Sequence, residues 1–167
     1  DAITAMRPYA DKLTELLQSL SATLDADSGS KYSNQRKVNN VLIVPVTSNR
    51  GLCGAFNSNI IKQVQQLIDN DYAGKKVSVF AIGKKGNDAF SKKKMVIANE
   101  SSVFDDLTFE NVALIAEALM EKFVSGEFDK IVLVYNKFKN AATQIIMTEQ
   151  YLPIVPIEQD ANVNLDY

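Results

Sequence analysis

Four short apolar runs separated by helix-patterned stretches leave this chain few folds to choose from. The runs are Val41-Leu-Ile-Val-Pro-Val46, Val77-Ser-Val-Phe-Ala-Ile82, Met95-Val-Ile-Ala98 and Ile131-Val-Leu-Val-Tyr135. Each has the length of a strand, and near-continuous apolar runs belong to strands covered on both faces. Between the first two, Ile60, Ile61, Val64, Leu67 and Ile68 recur with the helical period, with Asn57 placed to cap that helix and Gly74 to end it. Gly83 to Ser91 reads as a short helix. Before the fourth run, Thr108 is placed to cap a helix whose buried face is Val112, Ile115, Ala116, Leu119, Met120 and Phe123. Glu110 sits at its positive end and Gly126 closes it. Strand and helix in alternation predict an α/β fold, a Rossmann-like doubly wound sheet. A fifth strand, Thr143-Gln-Ile-Ile-Met-Thr148, follows the fourth after Asn136 to Ala142 alone. That is too short for a parallel crossover, which needs ~12 residues, so the sheet of about five strands should end on an antiparallel one. Pro45 has no N–H for a ladder, which predicts a bulge or an edge position for the first strand.

The sheet is preceded by a different pattern. Ile3, Met6, Ala10, Leu13, Leu17, Leu20 and Leu24 alternate spacings of three and four, an unbroken heptad seam that predicts one long helix over residues 1–24. Two readings stay open: a seam lying on another helix, or an ordinary amphipathic helix packed on its own domain. Pro8 cannot donate to the carbonyl of Thr4, so a kink is expected there. Residues 25–40 are polar and read as a linker or mobile loop, residues 41–151 as the globular domain, and residues 152–167, with Pro153, Pro156 and an acidic tail, as an exit segment. The chain opens on Asp1 rather than Met and carries no signal peptide, so it reads as a fragment or a processed form. No apolar run is long enough to span a bilayer.

Composition narrows the chemistry. The 167 residues contain no histidine and one cysteine, which excludes histidine-based triads, a disulfide framework and cysteine-cluster metal sites. Eighteen basic against 20 acidic residues give no general attraction to nucleic acid or anionic lipid. The charges are uneven: seven lysines and one acid, Asp88, lie in residues 75–94, and eight acids and one base, Lys122, in residues 100–129. Solvated helix faces of opposite sign account for this, with a polarised body that docks on charged partners as the alternative. After the first strand comes Thr47-Ser-Asn-Arg-Gly-Leu-Cys-Gly-Ala-Phe-Asn57. Gly51 and Gly54 are able to aim backbone N–H groups at an anion beside Arg50, or simply to satisfy a tight turn. The loop matches neither the dinucleotide fingerprint nor the P-loop. Cys53 has no histidine partner and no arginine six residues on, where Asn59 stands, so it reads as a small buried hydrophobe. Gly83-Lys-Lys-Gly86 is a weak anion candidate, and Asp105 with Asp106 lack further metal ligands at a recognisable spacing. No coherent active site and no cofactor follow from the residues.

The stretch Thr47 to Asn57 closely resembles one characteristic of the gamma subunits of F-type ATP synthases, through Arg50, Gly51, Leu52, Cys53, Gly54 and Asn57. Arg7-Pro-Tyr9 resembles that family's first long helix as it enters the globular domain. Ile82-Gly-Lys-Lys-Gly86, Val134-Tyr-Asn-Lys-Phe138, Leu152-Pro-Ile-Val-Pro156 and Leu165-Asp-Tyr167 are similar to later family segments in the same order. The resemblance implies a non-catalytic rotor. Its two long terminal helices turn inside a ring of alpha and beta subunits, and its globular domain sits near the epsilon subunit and the membrane c ring. On that reading Ile3, Met6, Ala10, Leu13, Leu17 and Leu20 are interaction residues of the shaft. Asp166 and Tyr167 lie toward the lower end, and no catalytic, cofactor or metal residue is expected. Most of the first helix and all of the last would be missing. The single cysteine excludes the redox-regulated chloroplast type, and a bacterial inner-membrane setting is expected ahead of a mitochondrial one. The competing reading is a small anion- or nucleotide-binding domain that uses the Arg50-to-Asn57 loop.

Overall fold

In a computed structural model of the chain, residues 2–28, 31–50, 55–140 and 143–155 are described. The expectations for Gly51, Leu52, Cys53, Gly54, Asp166 and Tyr167 lie outside these residues. Those for Ile3, Met6 and Leu24 lie outside the residues whose side chains are described.

Helix α1 covers Ala2–Ser28 and runs unbroken through Pro8. Five strands follow, β1 Asn40–Pro45, β2 Lys76–Ala81, β3 Val96–Asn99, β4 Lys130–Phe138 and β5 Gln144–Leu152. Helices α2 Ala55–Gln66, α3 Lys84–Ser91 and α4 Phe109–Val124 connect them. The sheet order is β3-β2-β1-β4-β5. The first four strands are parallel, and β5 pairs antiparallel with β4 from Phe138–Gln144 to Ile131–Leu152. The short β4–β5 connection therefore does what its length requires, and β5 continues four residues past the expected end.

Pro45 is a correction. It stands on β1, the middle strand of the sheet, and not on an edge. Its carbonyl accepts from the N–H of Ile82 at 3.1 Å, but it has no N–H to return. The β1–β2 ladder accordingly stops after Ile43–Val79 and resumes as an isolated bridge at Val46–Ile82. A central strand tolerates the proline because it falls at the carboxyl end, where one lost bond interrupts nothing further along.

The apolar residues of β1 alternate between two cores. Val41 and Ile43 face Ile60, Val64 and Leu67 of the α2 side and Phe90 of α3. Leu42, Val44 and Val46 face α4 and α1. Thr108 caps α4 as expected, its hydroxyl accepting from Asn111 N–H at 3.1 Å, and all six residues predicted for the buried face of α4 are buried. Gly126 follows the last turn at φ +85°. Helix α2 starts three residues earlier than a cap at Asn57 implies and passes into a π-helical turn, Leu67–Asp71, ahead of Gly74. The lysines of α3 and the acids of α4 lie on opposite sides of the sheet, with Lys84, Glu110, Glu117 and Glu121 exposed.

The polar segment expected as a linker is tied down. The Arg36 guanidinium lies 4.0 Å from the centre of the Phe123 ring and donates to the carbonyls of Phe123 and Phe128, both near the end of α4. It also pairs with Asp129 at 3.3 Å. Asp129 in turn accepts from the N–H groups of Asn39 and Asn40, which starts β1 beside β4. Arg36→Ala removes all of these at once and should cost about 2–3 kcal/mol. Arg36→Lys, which cannot reproduce the planar fork, should recover less than half of that in a urea melt.

Burial alone pushes the Asp129 carboxyl up. The hydrogen bonds from Asn40, Asn39 and Arg36, with the Arg36 charge, outweigh it and hold the group below its ordinary value of 3.8. A lowered folded pKa contributes stability that is present above the unfolded value and is lost as pH falls through the folded one. Stability should therefore fall below about pH 4, and Asp129→Asn should weaken the protein at pH 7 while flattening that acid limb. Urea melts across pH 2–7 check both.

Candidate functional site

In doubly wound sheets, ligands bind beyond the carboxyl ends of the strands where the order reverses. Here that point lies between β1 and β4, and the loop from Val46 to Arg50 leaves β1 directly over it. Thr47, Ser48, Asn57 and Asn136 are polar yet buried there. Buried polar groups need partners. Ser48 and Asn57 bond to each other, Thr47 and the Asn136 amide bond to main-chain groups, and the Asn136 side-chain oxygen is buried with no partner among the described residues.

The Thr47 N–H donates to the Ile82 carbonyl at 2.8 Å, and the Thr47 hydroxyl accepts from Gly86 N–H at 2.9 Å. The Ser48 carbonyl accepts from Lys85 N–H at 3.1 Å, and the Asn49 side-chain oxygen from Lys84 N–H at 2.9 Å. The first N–H groups of α3 are thus already taken. They are the donors that an anion at a helix N-terminus would use, so Gly83-Lys-Lys-Gly86 is not an anion site. The Asn49 amide also donates to the Ser101 carbonyl at 2.9 Å, and Gly83 N–H to the Ser101 hydroxyl at 3.2 Å. One loop therefore gathers the ends of β1, β2 and β3.

Gly83 makes this approach possible. It sits at φ +114°, and a Cβ there would lie 2.2 Å from the Thr47 carbonyl oxygen. At Gly86 a Cβ would meet the Thr47 hydroxyl oxygen at 3.2 Å. The two glycines resembling the family turn are there for close packing of α3 on β1.

Asn57 does not cap α2 as expected. It stands inside the first turn, where its side-chain oxygen accepts from Ser48 N–H at 2.9 Å and its amide donates to the Ser48 hydroxyl at 2.8 Å. The Ser48 hydroxyl donates onward to the Arg50 carbonyl at 2.6 Å. Arg50 itself is exposed. From β4, the Asn136 amide donates to the Phe56 carbonyl at 2.9 Å, and Phe56 stacks on Phe138 with ring centres 6.1 Å apart. At the switch point the described polar side chains are largely engaged with this chain's own groups. The sequence marks the stretch Thr47 to Asn57 but gives no individual role to Thr47, Ser48 or Asn49, and none to Ser101 or Asn136. The one available signal was the polar run that opens immediately after an apolar strand.

The seam residues occupy a second site. Ala10, Leu13 and Leu17 are fully buried, Leu13 and Leu17 among residues of α4 and the sheet, and Leu20 is packed partly against the same core. Of the two readings of the seam, these positions take the domain itself as partner. Beside them the Tyr151 hydroxyl donates to the Leu17 carbonyl at 2.9 Å. The Gln18 amide donates to both Glu149 carboxylate oxygens at 2.9 and 2.8 Å, and the Tyr135 hydroxyl to one of them at 2.5 Å. Burial pushes the Tyr151 hydroxyl well up. Burial, and then the Glu149 carboxylate that accepts its bond, do the same for Tyr135. Both stay protonated donors at neutral pH. Among the described residues no three His, Cys, Asp or Glu side chains are grouped to hold a metal ion.

A family model described as ATP synthase matches residues 1–167. The chain is 65% identical to the ATP synthase gamma chain of Flavobacterium psychrophilum over 98% of its own length and 57% of that protein's. It is 56% identical to that of Christiangramia forsetii over all of its length and 58% of the relative's. It thus spans less than two thirds of the relatives it matches. Among solved structures it resembles a chain of the central stalk and c-ring of Tetrahymena thermophila mitochondrial ATP synthase, with TM-score 0.59 and 24% identity over 92% of this chain and 73% of that one. A rotor chain of the Euglena gracilis mitochondrial enzyme matches with TM-score 0.55 and 18% identity over 99% and 64%. At these identities the likeness is one of fold.

Proposed function

The chain belongs to the ATP synthase gamma-chain family, and from that premise we propose that it is the globular body of a central-stalk rotor subunit of an F-type ATP synthase. The subunit couples proton or sodium transport to ATP synthesis by turning inside the catalytic ring of alpha and beta subunits. The epsilon subunit and the membrane c ring hold its lower end, and it makes and breaks no covalent bond itself. No helix among the described residues is long and apolar enough to cross a membrane. On the rotor reading the body is a peripheral one, at the cytoplasmic face of a bacterial inner membrane.

One observation carries the reading. Where an α/β sheet would take a substrate, most of the described polar groups are spent on internal locks, with Asn57 bonded to Ser48 and the Asn136 amide to Phe56. A rotor needs a body that does not deform when its two ends are driven against each other. Bonds that tie β1, β2, β3 and β4 together at one end of the sheet supply that. The relatives' names and the central-stalk chains of the same fold support it further.

Co-purification tests the proposal. The full-length chain, tagged and expressed with alpha, beta and epsilon subunits, should bring down all three in one complex. A stable monomer that ignores them sinks the rotor. The competing anion- or nucleotide-binding reading of the Arg50-to-Asn57 loop has its own check. A ligand at 100 times its dissociation constant should add ~2.7 kcal/mol to stability. The rotor account expects no such thermal shift with ATP, ADP or phosphate.

A further inference from the structure

We infer that Gln18 and Tyr151, with Glu149, form a rotational lock that stops α1 from turning about its own axis on the globular body. The inference rests on the rotor reading and concerns where torque passes between shaft and body. Apolar packing of Leu13 and Leu17 holds α1 on the domain and makes it part of one body, but the hydrophobic term itself is non-directional. Hydrogen bonds are directional and weaken steeply when misaligned. Two sets hold the helix at adjacent residues. The Leu17 main-chain carbonyl receives the Tyr151 hydroxyl in a buried bond, and the Gln18 side chain grips the Glu149 carboxylate through both of its oxygens.

Successive residues of an α-helix point about 100° apart, so the two contacts grip α1 at different angles around its axis. A helix held at one angle pivots about the contact, whereas one held at two does not. Both grips come from β5: Tyr151 and Glu149 are two apart on it, Tyr151 at the irregularity in its pairing with β4, and both reach α1. Tyr135 of β4 fixes the Glu149 carboxylate from behind, at the edge of a groove of about 580 Å³ between α1 and the β4–β5 hairpin. A clamp of this kind serves no substrate, and it is built of groups the β1 loop does not use.

The test uses the complete enzyme with the full-length chain, its catalytic ring fixed to a surface and a bead tethered to the exposed end of α3. Angular fluctuations of the bead at a stalled position report the torsional stiffness between ring and body. Tyr151→Phe removes one hydroxyl and Gln18→Ala one amide. Each should widen the angular variance about two-fold, as expected when one of two comparable hydrogen-bonded contacts is lost. The double variant should widen it further, while subunit yield and ATP hydrolysis stay at the wild-type level. Ile60→Val, which loosens the opposite face of the sheet, should leave the variance unchanged. Unchanged fluctuations in the double variant overturn the lock, and so does equal softening by Ile60→Val, which would make stiffness a matter of global stability. Failure of the wild-type chain to assemble at all would instead count against the rotor reading.

Discussion

Gly83→Ala is expected to cost about 3–5 kcal/mol, enough to leave little folded protein in a domain of ordinary stability. Two penalties coincide at this position. The backbone stands at φ +114°, where side chains other than glycine are strained, and the new methyl would lie 2.2 Å from the Thr47 carbonyl oxygen and 2.5 Å from its carbon. Those are main-chain atoms of a residue whose N–H is bonded to Ile82, so nothing flexible is available to yield. Two other glycines separate the causes. Gly74 has φ +80° with nothing within 4 Å of a Cβ, and Gly86 would meet the Thr47 hydroxyl at 3.2 Å without a strained φ. Each carries one penalty, so Gly74→Ala and Gly86→Ala should cost about 1–2 kcal/mol apiece. Urea melts of the three variants should rank Gly83 far ahead. A Gly83→Ala protein as stable as the other two would mean that α3 does not sit against β1 as described.

Leu17→Ala is expected to cost about 2–5 kcal/mol, and Leu13→Ala a similar amount, through lost burial and the cavity left behind. Both side chains are fully buried beside Leu119, Met120 and Phe123. Leu114 of α4 is 64% exposed, and its replacement by alanine should stay within about 0.5 kcal/mol of wild type. The contrast decides what the heptad seam does in this part of the chain. A seam waiting for an absent helix predicts mild effects at Leu13 and Leu17, no larger than at Leu114. A seam docked on the domain predicts the large ones, and only then is α1 part of the same stiff body as the sheet.

Periodicity made the fold legible, and chain length settled its one antiparallel step. Continuous apolar strands, the Thr108 cap and the buried stripe from Val112 to Phe123 all follow from local rules that tertiary contacts here reinforce. What stayed illegible depends on partners far away in sequence. Asn57 has the chemistry of a cap, but Ser48, nine residues earlier, claims its side chain and draws it inside the helix. Arg36 reads as one charge in a polar linker, and only the fold brings it to Phe123 and Asp129. Pro45 argues for an edge by its missing N–H, yet its place at the end of β1 makes the middle of the sheet acceptable. At the β1 loop, the sequence correctly offers glycines and polar groups that suit an anion. The structure spends the polar ones on α3 and α2. A lone sequence cannot distinguish a polar cluster that binds from one that locks, because both need the same groups at the same spacing.

In the function proposed here, this body transmits rotation and performs no chemistry. The measurement closest to that function is single-molecule rotation. The full-length chain is assembled with alpha, beta and epsilon subunits, the ring is anchored, and a bead is fixed to the exposed lysine-rich end of α3. On addition of ATP the bead should turn steadily in one direction, and should stop when hydrolysis is inhibited. A bead that stays still while the anchored complex goes on hydrolysing ATP would contradict the account.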